Sequence, residues 1–363
     1  MLDLVLRLLN YCLLLSNIAA AVTVERITPP VEHGEGPHWD VSTNKLYHVD
    51  ISSQKIWQVD PITGQRTFIY LKDGPVGVVV TVENSPNELV VGCGRDVVLV
   101  KWDGEQNITN PDPRKYFQKL ASLDIDRNDT RVNDGKCDPA GRFWIGTMGL
   151  EINDHIEEGR GSLYRIGQNL TPTNLVTSVT VSNGLVWGPK NDVMYYIDSP
   201  TRKIVAFDYN LEYGSLGSKR VVFDLERNHV IGIPDGMTID AHGDLWIALY
   251  KGFAVIQVDP IHGRRLRTID LPAPRITSVA FGGPKLDILY VTSSRFGMDD
   301  EEKKKYPSSG SVFAIKGLGV QGLPQTSFKY SKVRTGRSQK GSMSGQSYRS
   351  QFRGGDIIDM GFD

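Results

Sequence analysis

Cysteine is scarce in this chain: three occur in 363 residues, Cys12, Cys93 and Cys137. No Cys-x-x-Cys pair and no Cys/His cluster is present, which removes the usual ligand sets of a structural zinc centre and any disulfide-dense scaffold. Cys93 and Cys137 could pair as one disulfide or remain two buried thiols, and the sequence favours neither. Charge of one sign is also missing. The formal net charge is −1, so no overall field calls for nucleic acid as a partner, and a small molecule is the expected ligand. Helix-length amphipathic runs are nearly absent, and beyond the N-terminus no apolar run is long enough to span a bilayer. There is no Gly-x-Ser-x-Gly elbow and no His-Glu-x-x-His helix, which leaves serine and zinc-protease hydrolysis unsupported. Gly317-Leu-Gly319-Val-Gln-Gly322 fits a dinucleotide spacing, but LPQTS follows where a helix is needed. The run Asp124-Ile-Asp126-Arg-Asn128 begins like an EF-hand, yet Asp129 stands where the loop needs glycine.

What the chain does have is 37 glycines and 19 prolines scattered among short β-rich runs, the pattern of turn punctuation in an all-β protein. A unit recurs along it. HWDVSTNKLYHVDISSQKIWQVDPITG, WGPKNDVMYYIDSPTRKIVAFDYNLEYG and IDAHGDLWIALYKGFAVIQVDPIHG share one rhythm of polar turn, apolar strand, turn and second strand, with looser copies around CDPAGRFWIGTM and FGGPKLDILYVTSSR. Asn133, Asn183, Asp235 and Ser278 fall at equivalent places, 50, 52 and 43 residues apart, the size of a four-stranded propeller blade. Counting from Glu35, with a weaker copy across residues 76 to 125, predicts a six-bladed β-propeller over residues 22–323.

The two ends differ from this core. Residues 1–21, with Arg7, an apolar stretch and Ala19-Ala20-Ala21, read as a signal peptide and predict a secreted protein; without a leader the chain is expected in the cytoplasm. The sequons at Asn107, Asn128 and Asn169 point to export as well. Residues 324–363 are rich in Ser, Gly, Gln, Lys and Arg and are expected to form a flexible basic tail. No distinct interface patch stands out, and a monomer is expected.

Four blade openings carry short polar motifs: Gly34-Glu35-Gly36-Pro37, Arg131-Val132-Asn133-Asp134-Gly135, Ser182-Asn183-Gly184-Leu185 and Pro234-Asp235-Gly236-Met237. Asn-Gly and Asp-Gly are common turn dipeptides, and any one of these alone reads as a turn. Their recurrence at blade phase changes the reading, because the starts of innermost strands converge on the central channel. Glu35, Asn183 and Asp235 then offer two carboxylates and an amide oxygen, a hard oxygen set for one divalent cation (Ca, Mg, Mn or Zn) in the channel. His33 and His38 flank Glu35 and read as packing or surface groups.

These segments carry a family resemblance. GEGPHWD, RVNDGKCDPAGRFWIGTM, VSNGLVWG, IPDGMTIDAHGDLWIA, FGG and GLGVQG, in order from about Glu32 to Gly322, resemble the signature segments of the SMP-30/gluconolactonase/regucalcin-like proteins, which include the luciferin-regenerating enzymes. The resemblance implies a metal-dependent lactonase that opens a small sugar lactone. It places the metal ligands at Glu35, Asn183 and Asp235, and the substrate contacts at Arg131, Asn133 and Glu151. The cation would polarise the lactone carbonyl while Asp235, the expected catalytic base, assists water attack. Glu151 lies in a polar segment, Gly149 to Arg160, which either covers the channel mouth or leaves Glu151 an ordinary exposed loop carboxylate. The same resemblance allows a non-catalytic calcium-binding, regulatory protein, or a hydrolase of another ester-like substrate such as an organophosphate or a luciferin-related compound. The departures from the common pattern are Gly36 before Pro37, Cys137 in place of an aliphatic residue, and the added leader and tail.

Overall fold

The computed structural model describes residues 21–152 and 155–330. The expected leader lies outside these residues apart from its last position, and so does the tail from residue 331 onward. Six four-stranded antiparallel sheets follow one another, each built outward from an inner strand. The inner strands are Gly34–Asp40, Val76–Val82, Thr130–Cys137, Ser182–Trp187, Ile233–Ile239 and Ile276–Gly282, and each packs against the next around a closed ring. This is the six-bladed propeller that the repeat predicted. Among the described residues the α-helices are single short pieces, Pro113–Tyr116 and Asp300–Lys305, and no helix is long and apolar enough to cross a membrane.

The ring closes with a strand from the other end of the chain. Blade six takes its outermost strand from Thr23–Arg26, which pairs antiparallel with Phe313–Lys316. All four of its side chains are exposed, so it joins through ladder hydrogen bonds and the Lys316–Glu25 ion pair (2.8 Å), with little apolar burial.

The repeat has a physical cause in a buried aspartate at the end of the inner strand. Asp138 Oδ1 accepts the backbone N–H groups of Ala140 and Arg142 (2.9 and 3.0 Å), and its Oδ2 accepts the indole N–H of Trp144 (2.9 Å). Two blades on, Asp240 Oδ1 accepts the N–H groups of His242 and Asp244 (both 3.0 Å), and its Oδ2 accepts the indole N–H of Trp246 (2.9 Å). One carboxylate thereby caps the turn and fixes the large side chain that fills the space between blades. Asp138 also takes Tyr209 Oη from the neighbouring blade (2.7 Å) and Arg142 Nε (2.6 Å). Trp144, Trp187 and Tyr209 pack edge to face, with centroids 5.6–6.0 Å apart.

Cys93 and Cys137 are both free and buried, which decides for two thiols; burial pushes the Cys93 thiol up to about 12. The folded unit also runs past residue 323. Phe328 is fully buried beside Val82 and Phe143, its N–H donates to Thr81 O (2.8 Å), and its carbonyl accepts Glu83 N–H (2.9 Å). Residues 324–330, expected in the flexible tail, are therefore packed on the propeller. Two stacked aromatic side chains, Phe328 and Tyr330, and three backbone hydrogen bonds offset the polar composition around them.

Candidate functional site

All six inner strands carry a register shift near their start, between Glu35 and His38, Val76 and Val78, Val132 and Gly135, Ser182 and Leu185, Pro234 and Met237, and Ile276 and Ser278. A bulge leaves one or two residues unpaired and re-aims their side chains. In three blades the unpaired residues are Asn133-Asp134, Asn183-Gly184 and Asp235-Gly236. The motifs read as turns are thus bulges that break the two-residue alternation of the strand. Glu35 enters one residue earlier than this phase, followed by Gly36 in the left-handed region (φ +52°). Glycines let the inner strands approach closely: a Cβ on Gly236 would stand 1.9 Å from Ser278 Oγ, and one on Gly77 2.3 Å from Asn133 O.

The structure brings together Glu35, Asp235, Arg131, Asn133 and Asn183. Glu35, Asn183 and Asp235 are all buried, and the Glu35 and Asp235 carboxyl groups lie close enough for each to shift the other's proton affinity. Glu35 Oε2 also accepts the N–H of Gly36 (2.6 Å). Burial, reinforced by the charge of Asp134, pushes Glu35 up from its ordinary 4.5 to about 8. Burial and the Glu35 charge push Asp235 well above the carboxylate range. Among the described residues no three His, Cys, Asp or Glu side chains form a metal-holding group, so a cation here depends on the amide oxygen of Asn183 as its third protein donor.

The orientation of that amide follows from its partners. Ser199 Oγ donates to Pro234 O (2.6 Å) and so must accept from Asn183 Nδ2 (2.8 Å). This turns Asn183 Oδ1 the other way, where it accepts from Asn133 Nδ2 (3.0 Å). Asn133 spends its second N–H on Ser182 O (2.9 Å), and its Oδ1 accepts Arg131 Nη1 (2.9 Å). Both donors of Asn133 are occupied, which leaves one lone pair on Oδ1 for anything else. Its main action is to align Arg131 and Asn183.

Arg131 is buried deeply enough to bring its guanidinium down to about 10, while Glu151, Glu35 and Asp235 favour its charge in that order. Glu151 sits on a two-residue hairpin, Glu151–Ile152 with His155–Ile156, and is exposed. It therefore stands over the site through its charge on Arg131, apart from the buried group. His38 is buried, with Nε2 against Thr81 Oγ1 (3.0 Å), and fills a packing role.

Three further polar residues belong to this region. Asp134, on the same bulge as Asn133, is raised to about 6, chiefly by burial. Lys136, lowered to about 8 by burial, donates from Nζ to Met237 O (2.8 Å). Both line a narrow axial cavity together with Gln325, whose Oε1 accepts the N–H of Trp39 (2.5 Å). Tyr250, mostly buried, lies within electrostatic reach of Asp235 and Glu151 and bonds Arg275. Asp134, in the Asn-Asp-Gly motif, adds a third carboxylate whose charge acts on Glu35.

The profile of the SMP-30/Gluconolactonase/LRE-like region matches residues 33–295. The chain belongs to this family. Regucalcin of Gallus gallus is 40% identical over 296 residues, covering 81% of this chain and 94% of that protein. A solved luciferin-regenerating enzyme superposes with a TM-score of 0.78 at 33% identity, covering 85% of this chain and all of the other. Regucalcin from Agrobacterium tumefaciens, described as a calcium-binding protein, shares the fold with a TM-score of 0.75 at 24% identity, over 85% of this chain and 97% of its own. A gluconolactonase-like or regucalcin-like role follows from membership.

Proposed function

We propose that this protein is a metal-dependent lactone hydrolase, with Glu35, Asn183 and Asp235 holding one divalent cation and Arg131 and Glu151 receiving a small lactone such as an aldonolactone. The observation that carries this reading is the buried Glu35–Asp235 pair, set in the same ring of inner-strand starts as the buried Asn183. Two carboxyl groups pressed together away from water fit a cation, because both can ionise only when positive charge stands between them. All three donors are oxygen, which suits a hard cation. When bound, the cation supplies Lewis acidity toward the lactone carbonyl.

The chain's own groups do the rest. Arg131, aligned by Asn133 Oδ1, presents its planar fork to ring oxygens, and Glu151 above it confines the guanidinium. Asp235 takes the proton from the attacking water as the new C–O bond forms at the carbonyl carbon. The ring C–O bond then breaks, and the same proton passes to the leaving oxygen to give the open hydroxy acid. The network from Arg131 through Asn133 and Asn183 to Ser199 fixes these groups before substrate arrives. We also read the protein as exported and monomeric, on its leader and on three sequon asparagines that are all exposed.

The test is hydrolysis of D-glucono-δ-lactone with and without chelator, beside Asp235→Asn and Arg131→Ala. Turnover that needs added divalent cation and collapses in Asp235→Asn supports the reading. A folded protein that binds the cation yet turns over no lactone assigns it instead to cation binding without catalysis.

A further inference from the structure

The candidate site has a polar floor, but part of its rim is apolar and held rigid. Phe296 lies in the loop between the second and third strands of blade six and is 41% exposed. Its ring stacks on the imidazole of His33, with centroids 5.4 Å apart and planes 19° from parallel. His33 stands two residues ahead of Glu35, and its N–H is fixed by Asp50 Oδ1 (3.0 Å). The loop is pinned on both sides of the ring. The Phe296 N–H donates to Ser294 Oγ (3.1 Å), its carbonyl accepts the Arg275 guanidinium, and Arg295 donates from its backbone N–H to Glu32 O (3.0 Å) and from Nε to Glu32 Oε2 (3.1 Å).

A single exposed phenylalanine is ordinary on a protein surface. This one differs in being held against His33, the residue just ahead of the strand that delivers Glu35, while remaining 41% exposed. Two more exposed apolar side chains flank candidate site residues at the same end of the blades: Ile152 (64%) follows Glu151, and Ile231 (79%) precedes Asp235 by four residues. An apolar group laid against a preset surface loses little freedom on the protein side, which is how such a surface discriminates.

We propose that the His33–Phe296 wall binds an apolar substituent of the substrate, so that the substrate class is a small lactone bearing a short alkyl or aryl group. This rests on the lactonase reading and deepens it. The polar floor then takes the ring oxygens and the rim takes the substituent. Ion pairs beside Phe296, Glu32–Arg295 (3.1 Å) and Arg275–Glu302 (3.6 Å), break the rim into small patches, which suits a small substituent better than a lipid surface.

The experiment uses the full-length, cation-loaded protein and a series of δ-lactones with unbranched substituents from none to five carbons. kcat/KM is measured for each, and calorimetry gives the affinity of the matching δ-lactams as a readout that needs no turnover. Both are expected to rise about two- to fourfold per methylene over the first three or four carbons. Phe296→Ala should remove most of that slope, and Phe296→Leu should restore part of it. Flat or falling series in both readouts, or a slope that Phe296→Ala leaves intact, overturns the proposal. So does a Phe296→Ala effect confined to sedimentation with phosphatidylcholine vesicles, which assigns the loop to a membrane. Gluconolactone turnover with flat slopes sinks the wall and spares the hydrolase. Rising lactam affinity without hydrolysis of any lactone does the reverse.

Discussion

Without a cation, the Glu35–Asp235 pair should make the fold lose stability as pH rises, opposite to the usual behaviour of carboxylates held in ion pairs. The ordinary pKa of Glu35 is 4.5, and in the folded protein it stands at about 8. The folded chain therefore holds this proton more tightly than the unfolded chain does. The stabilisation is complete below 4.5 and is lost as pH climbs through 8. Other buried groups set the useful window. His33, His38 and His48, each brought down to about 4 by burial, add stability as pH rises toward 6.5 and are flat above it. Lys136, brought down to about 8, acts only above that value, and Asp134, raised to about 6, has finished below the window. Between pH 6.5 and 8 Glu35 dominates, and 1.5 pH units at 1.36 kcal/mol each amount to about 2 kcal/mol. Asp235, raised for the same reasons, acts in the same direction. Scanning calorimetry of chelator-treated protein across this window should show Tm falling by about 2–5 °C. Glu35→Gln should flatten the fall, and millimolar calcium should cancel it at pH 8. A wild-type Tm that is level or rising from pH 6.5 to 8, or a Glu35→Gln variant as pH-sensitive as wild type, refutes the reasoning.

Four further outcomes are expected. Asp138→Asn weakens the buried contact with Arg142 and gives Trp144 and Tyr209 a poorer acceptor; it should cost about 3 kcal/mol in urea unfolding, with the m-value unchanged. Gly236→Ala drives a methyl group into Ser278 and should lower stability by about 2 kcal/mol or more in the same assay. Arg131→Ala should reduce kcat/KM on D-glucono-δ-lactone by about 10- to 100-fold, the loss of a charge-assisted hydrogen bond, measured by acid release. Protein recovered from a secreting eukaryotic host should begin near Val22 and lose mass on treatment with a peptide N-glycosidase; an intact leader and unchanged mass would place it inside the cell.

The propeller was legible because its repeat is chemically enforced. The Asp138 and Asp240 turns need an aspartate, a nearby tryptophan and small turn residues at fixed offsets, and that set occurs twice in the sequence, two blades apart. That Glu35, Asn183 and Asp235 sit at the starts of inner strands was legible for a related reason, since each belongs to a motif that recurs at blade phase. Asp134 and Lys136 were passed over because strand alternation predicts that only every second residue faces the axis, and the bulge at Val132–Gly135 suspends that rule. The packed segment at 324–330 escaped for another reason: composition averages over a window, and the few residues that pack, Gln325, Phe328 and Tyr330, are diluted among polar ones. Nor could sequence spacing show that both N–H donors of Asn133 are taken, because its partners Ser182 and Asn183 come from the next blade.

The closure of blade six bears on how the molecule is made. Thr23–Arg26 leaves the ribosome about 290 residues ahead of its partner Phe313–Lys316. At about 5–20 residues per second the strand waits some 15–60 seconds for its partner. Over that interval the blades emerge one after another as an open, growing arc, and no local contact can shorten the delay. Synthesis speed and chaperone supply, more than the strength of any single blade, should decide how much chain reaches the closed ring.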